Sequence, residues 1–228
     1  MSLKHKLEEI EGNIQRSRLE AGRDQDVRII AVTKTHPSTS IIEIYKAGIR
    51  SIGENKIQEA VKKFPELPDL KDLEKRFIGH LQSNKINKAL QYFDTIDSVD
   101  SLELAKKINE RAKHPFPVLL EVNTSGEITK SGFDPNNVDE MLNSIELEYI
   151  KVEGLMTVGP LTSNERDIRN AFKHLHFVFE ELNRQISRTE NKLKELSMGM
   201  SGDYEIAVQE GSTQVRLGTV LFGPREYI

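Results

Sequence analysis

Short β-type runs alternate with helical patterns along almost the whole chain, and eight such runs can be counted. Alternation of this kind marks parallel βαβ units, and eight units can close on themselves. No Pro-, Gly- or Ser-rich linker interrupts the pattern, so residues 1–228 read as one domain. Together these observations predict an α/β fold, a single (β/α)8 TIM-type barrel with an extra N-terminal helix. At 228 residues the chain is somewhat shorter than the ~250 typical of such barrels. An open, doubly wound sheet is the competing architecture.

The extra helix comes first. Leu3, Leu7, Ile10 and Ile14 recur at helical spacing, Ser2 can cap the start, and Gly22 can end it. Strands are expected near 27–34 (VRIIAVTK), 49–54 (IRSIGE), 76–80 (RFIGH) and 93–99 (FDTIDSV). Four more are expected near 117–123 (PVLLEVN), 150–157 (IKVEGLMT), 195–199 (ELSMG) and 214–217 (QVRL). Helical stretches lie between them at 38–47, 55–64, 84–91, 101–113, 135–145, 164–188 and 203–210. The clearest is 164–188, where Ile168, Phe172, Leu175, Phe179, Leu182 and Ile186 form one apolar stripe, read as packing against the barrel.

A chain of this length can bury on the order of 70–75% of its unfolded surface, so it needs no disulfide or metal staple. It has no cysteine, which excludes disulfides and thiolate ligands and fits a reducing compartment. The start, MSLKHKLEEIEGNIQRSRLEAG, has no apolar core of the signal-peptide kind, and no later run approaches membrane-spanning length. The net charge of −4, with Lys and Arg dispersed, argues against general nucleic-acid binding. The expectation is a cytoplasmic protein with no nucleic-acid or membrane partner.

In a barrel, function gathers where strands end and βα loops begin. Those ends read TKTHP, GENKIQEA, GHLQSNK, VNTSGEITKSGF, GLMTVGP, SMGMSGD and RLGT, rich in small and hydrogen-bonding residues. Around the seventh and eighth strands lie Ser201, Gly202, Gly211, Gly218 and Gly223. Glycine lets the backbone approach an anion, and a helix start offers free N–H donors, so this end is a candidate phosphate site. Capping of the 203–210 helix by Ser201 or Asp203 is the plainer role for the same segment. GTVLFG reads either as the end of strand eight or as a short helix opening at Gly218; a phosphate site favours the helix. Arg216 should face the same way as Gly218. Pointing inward, its charge needs an acceptor, either a core carboxylate or a ligand.

VRIIAVTKTHP delivers Lys34 at the mouth of the first strand. Such a lysine either meets water as the strand surfaces or sits partly desolvated beside Val32 and near Arg216. Desolvation and a neighbouring cation disfavour the ammonium form, and a free amine condenses with a carbonyl. Lys34 is expected across the barrel from the phosphate site, although strands one and eight are also neighbours in a closed barrel. An aldehyde with a phosphate a short arm away describes pyridoxal 5′-phosphate.

AVTKTHP, SIGENKIQEA, FIGHLQSNK, KSGF, GLMT and SMGMSGDYEIAVQEGSTQVRLGTVLFGPR together resemble the pyridoxal-phosphate homeostasis protein family, from residue 27 to 227. The resemblance implies a single-domain, fold-type III pyridoxal-phosphate barrel, similar to the N-terminal barrel of bacterial alanine racemase. It implies that Lys34 is the Schiff-base lysine, that Ser201, Gly218 and Thr219 hold the phosphate, and that Arg216 faces the pyridine nitrogen. Asn55 and Met156 would line the cofactor pocket, with Ser83 of LQSNK a further candidate. One departure is local: GENK has a lysine where an aromatic or an arginine more often follows GEN. Lys56 is then a second lysine near the mouth, and Lys85 and Lys130 are others. All three read as surface or substrate-facing charges, with Lys130 of TKSGF best suited to reach an anion.

An arginine at the pyridine nitrogen disfavours protonation there and weakens the ring as an electron sink. Alanine racemase adds a tyrosine base from a C-terminal domain, whereas this sequence ends at Ile228. None of Tyr45, Tyr92, Tyr149, Tyr204 and Tyr227 is expected at the mouth. The resemblance therefore implies a protein that holds pyridoxal phosphate on Lys34 for intracellular vitamin B6 homeostasis, and a lone exposed barrel mouth with no obvious dimer surface favours a monomer. Little or no catalysis is expected, and apo-enzymes that require the cofactor are candidate recipients. The alternative is a pyridoxal-phosphate-dependent amino-acid racemase of low activity, and a third possibility is a cofactor-free Schiff-base lyase. No metal site is expected: His174 and His176 lie on roughly opposite faces of a helix, and His36 and His80 show no partner at ligand spacing. No G-x-G-x-x-G or Walker lysine motif appears.

Overall fold

The computed structural model describes residues 2–127 and 130–223. Its strands are β1 (Arg28–Val32), β2 (Ser51–Glu54), β3 (Glu74–Phe77), β4 (Thr95–Val99), β5 (Phe116–Glu121), β6 (Ile150–Met156), β7 (Glu195–Met200) and β8 (Gln214–Leu217). Each pairs in parallel with the next, and β8 pairs with β1, closing the barrel. The open-sheet alternative is thereby set aside.

The helices are α1 (Leu3–Glu20), α2 (Ser38–Lys46), α3 (Ile57–Lys63), α4 (Ile86–Tyr92), α5 (Leu102–Asn109), α6 (Val138–Ile145), α7 (Glu165–Gln185), α8 (Tyr204–Gln209) and α9 (Thr219–Phe222). The Ser2 side chain accepts the His5 N–H at the start of α1, and Gly22 beyond its end takes φ +62°. Leu7, Ile10 and Ile14 are buried, while Lys6 donates to Leu221 O and Asn13 to the Tyr204 hydroxyl. The extra helix is thus tied to the elements around β8. Along α7, Ile168, Phe172, Leu175 and Leu182 are buried as the stripe predicts, with Phe179 partly so.

Some boundaries differ from expectation for local reasons. The helix expected over 55–64 begins at Ile57 and passes into a 3-10 turn at Phe64–Glu66, where Pro65 cannot donate an N–H. The helices expected to reach 113 and 188 stop at Asn109 and Gln185. Strand β1 ends at Val32 rather than at 34. There the Thr33 carbonyl accepts the His36 N–H at 3.1 Å, and Thr35 takes φ +67°, so Lys34 sits on a turn.

Strand alternation sends Ala31, Ile52, Phe77, Val118, Leu120 and Val215 into the apolar layer between barrel and helices. The barrel interior holds charge. Arg76, 1% exposed, grips Asp97 with Nε–Oδ2 2.7 Å and a second bond of 3.0 Å. Thr95 donates to the same carboxylate, and Glu74 contacts Arg76 at 2.8 Å while accepting from Ser51. This paired layer fills the barrel toward the strand starts and leaves the strand ends for the site.

Candidate functional site

A cleft of about 390 Å³ opens at the carboxyl ends of the strands, within the range of small-molecule pockets. Val32, Lys34 and His36 form one wall, Asn55, Ile78 and Gly79 a second, and Met200, Ser201, Gly202, Arg216, Gly218 and Thr219 a third. A larger groove, about 530 Å³, lies at the opposite end beside Glu11, Ile14, Arg28 and Glu74. Barrels place function at the other face, and the groove lacks the lysine and glycines of the cleft.

Register brings the walls together. Ile30 pairs with Arg216 and Ala31 with Leu217, so Val32 lies beside Gly218. A Cβ on Gly218 would lie 3.6 Å from Val32. The lysine-bearing turn therefore adjoins the last strand directly, a correction to its expected place across the barrel. At Gly79 a Cβ would fall 2.2 Å from the Asn55 carbonyl oxygen, so only glycine lets the ends of β2 and β3 approach this closely.

Ser201 Oγ accepts from the backbone N–H of Gly218 (3.2 Å) and of Val220 (3.3 Å). GTVLFG thus opens as a helix, α9, with Gly218 at its start. Asp203 stands at the N-cap of α8, but its carboxylate turns back to accept the Met200 N–H instead of an α8 donor. Arg216 is 5% exposed and donates to Ser197 O and Oγ (2.9 and 2.8 Å) and to Thr157 O (2.7 Å). Among the described residues no carboxylate comes within ion-pair distance of it. Asp97, Glu121 and Asp203 act at longer range, and burial pushes the guanidinium pKa down.

The remaining candidates fall outside the cleft lining. Met156 is buried at the end of β6, paired with Glu121 and Ser197. Ser83 accepts from Lys107 Nζ, and its carbonyl from Arg111. Lys56 is exposed at the start of α3, and Lys85 is half-buried before α4. Lys130 lines an adjoining pocket with His80, Glu121 and Asn123, where it donates to Gly159 O and pairs with Glu127. That pocket shares Ile78 and Val158 with the cleft. There, burial, reinforced by Asp100, pushes the Glu121 carboxyl up to about 7, with Arg216 and His80 opposing.

Sequence reasoning missed His36, Ile78, Gly79, Val158 and Met200 as cleft residues. Glycine between Ile78 and His80 was the available signal; Ile78 and Val158 look like ordinary core. It also missed a pairing: His80 Nδ1 lies 3.2 Å from Asp100, twenty residues on. Tyr45, Tyr92, Tyr149 and Tyr204 do not line the cleft, and Tyr227 lies outside the described residues. Among the described residues no three metal-ligating side chains gather, and no helix is long and apolar enough to cross a membrane.

The cleft fits a phosphorylated aldehyde. It sets an amine on one wall against the Ser201 hydroxyl, on which the Gly218 and Val220 N–H groups converge, on another. A Cβ on Gly202 would meet nothing within 4 Å, leaving open space where an anion's oxygens need it. These features define the class, a TIM-type barrel with a lysine at the mouth of its first strand beside a serine- and glycine-lined segment on its last two. The model of the alanine racemase N-terminal domain matches residues 6–226. A pyridoxal phosphate homeostasis protein of Aquifex aeolicus is 41% identical over 232 residues, spanning 100% of both chains. The chain belongs to the alanine racemase N-terminal domain family and, within it, to the pyridoxal phosphate homeostasis proteins. PipY of Synechococcus elongatus, solved with PLP bound, superposes with a TM-score of 0.83 at 36% identity, covering 97% of this chain and 100% of that one. Alanine racemase of Clostridium difficile shares the fold, with a TM-score of 0.73 at 20% identity over 99% of this chain and 56% of its own.

Proposed function

We propose that this protein binds pyridoxal 5′-phosphate through Lys34 and serves its homeostasis in the cytoplasm, with little or no catalysis of its own. The observation that carries this is one cleft joining Lys34 to Ser201, Arg216, Gly218 and Thr219. The names of the relatives and the PLP-bound PipY support it. When bound, the cofactor would supply an aldehyde that condenses with an amine, C=N replacing C=O with release of water. Lys34 Nζ, on the cleft wall, would be that amine once it has given up a proton. Ser201, Thr219 and the backbone around Gly218 would hold the phosphate. Arg216 would face the ring nitrogen and disfavour a proton there, while Asn55 would line the pocket and Met156 would serve packing. As a monomer, the protein would pass its cargo to apo-enzymes.

Absorbance spectra with and without borohydride, followed by peptide mapping, test this. Adding pyridoxal phosphate should produce the imine band and a reduced label on Lys34, both lost in Lys34→Ala. Label on another lysine overturns the site assignment, and an unchanged spectrum overturns the cofactor. One feature favours a second reading, a low-activity amino-acid racemase: Glu121, poised near neutrality beside the cleft, is a candidate acid/base group. Sustained interconversion of single enantiomers, lost in both Lys34→Ala and Glu121→Gln, would decide for it.

A further inference from the structure

Lys34 lies between two residues that one charged cluster holds from the far side of β1. We propose that Glu59, backed by Lys63 and Glu54, is a positioning residue for Lys34: it fixes the turn that aims the lysine into the cleft. The inference rests on the role proposed for Lys34.

The cluster is built around Lys63, whose side chain is 7% exposed. Its ammonium donates to Glu54 Oε1 (2.7 Å), Glu59 Oε1 (2.9 Å) and the Thr33 carbonyl (2.9 Å). Thr33 Oγ1 donates to the same Glu54 oxygen at 2.6 Å. Glu59 Oε1 also accepts the backbone N–H of Thr35, at 2.6 Å. Both neighbours of Lys34 are thereby tied through one ammonium and two carboxylates, to α3 by Lys63 and Glu59 and to the end of β2 by Glu54.

The tie opposes a real strain. Thr35 is β-branched and takes φ +67°, a left-handed conformation that such residues rarely adopt unless the surroundings enforce it. Burying the cluster is itself unfavourable, for Glu54 is fully buried and its Oε2 finds no hydrogen-bond partner. Ile57 and Ala60 already pack α3 on the barrel, so its docking does not require these charges. What the charges add is a fixed backbone from Thr33 to Thr35. A backbone fixed on both sides of Lys34 holds the reacting group in one orientation, and orientation of that kind accelerates bond formation.

The test compares full-length Glu59→Ala, which removes the acceptor, with Glu59→Gln, which keeps an acceptor oxygen. Glu59 is a quarter exposed, and Lys63 keeps Glu54 in either variant. Formation of the borohydride-reducible link should slow about tenfold or more in Glu59→Ala. Affinity for pyridoxine 5′-phosphate, which has the ring and phosphate but no aldehyde, should stay within about twofold. Glu59→Gln should restore most of the rate. In the cofactor-free proteins, the Thr35 amide should exchange slowly in wild type and Glu59→Gln and fast in Glu59→Ala. An unchanged rate in Glu59→Ala, a parallel loss of pyridoxine-phosphate affinity, or no rescue by glutamine overturns the inference. Wild type that binds pyridoxine phosphate yet forms no link on Lys34 overturns the proposed role of Lys34 itself, and the positioning role with it.

Discussion

Glu121 shows what a single residue experiences at the end of a barrel strand. The folded protein raises its carboxyl from an ordinary 4.5 to about 7, burial first and the Asp100 charge second. A raised folded-state value means that the native protein holds a proton the unfolded chain releases. The associated stability is fully present below 4.5 and is lost as pH rises through about 7. Glu121→Gln, neutral throughout, should therefore gain stability over wild type as pH goes from 5 to 8, measured by urea unfolding of the cofactor-free proteins. A constant difference across that range would remove the shift. The sequence marked Lys34, Ser201, Arg216 and Gly218 because each stands near a strand end, and Thr219 through the family resemblance. It could not mark the Asp100 beside Glu121 and His80, since that proximity comes from neighbouring strands.

At the scale of elements, glycines separate two jobs. Gly154 lies where β6 pairs with β7, and a Cβ there would fall 1.8 Å from Glu195 O. Gly154→Ala should push the strands apart and cost about 1–3 kcal/mol or more in denaturant unfolding. Gly202 lines the cleft, where an added Cβ meets open space. Gly202→Ala should leave the unfolding midpoint nearly unchanged while weakening binding of pyridoxal phosphate, read by titration of its absorbance. Equal effects of the two on stability would contradict this division. The strands and helices were legible from period and length, and α9 was foreseen as the alternative a phosphate site favours. The end of β1 was not, because the turn at Thr35 depends on Glu59, an acceptor from α3.

For the molecule as a whole, the barrel divides into a paired charged layer and an open end. Arg76 and Asp97 are buried and bonded to each other, and the Asp97 charge drives the Arg76 pKa upward against its burial. Removing one partner leaves an uncompensated charge, so Asp97→Ala should cost about 3–5 kcal/mol. Replacing both by apolar residues of similar volume should cost far less, as chemical denaturation of the single and double variants would show. The strand expected over 76–80 began two residues late, because Glu74 and Lys75 do not look like a barrel strand until their partners on β2 are known.

By itself the sequence determined the eightfold alternation, the extra helix, and a lysine and glycine-rich segment at opposite ends of the chain. Those features depend on local period and residue type, which the chain carries everywhere. Tertiary structure alone decided the register that sets Val32 beside Gly218, that Arg216 is held by carbonyls and a hydroxyl instead of a carboxylate, and that Glu59 clamps the Lys34 turn. Each depends on which groups meet across the barrel, and register and packing, not residue order, set that.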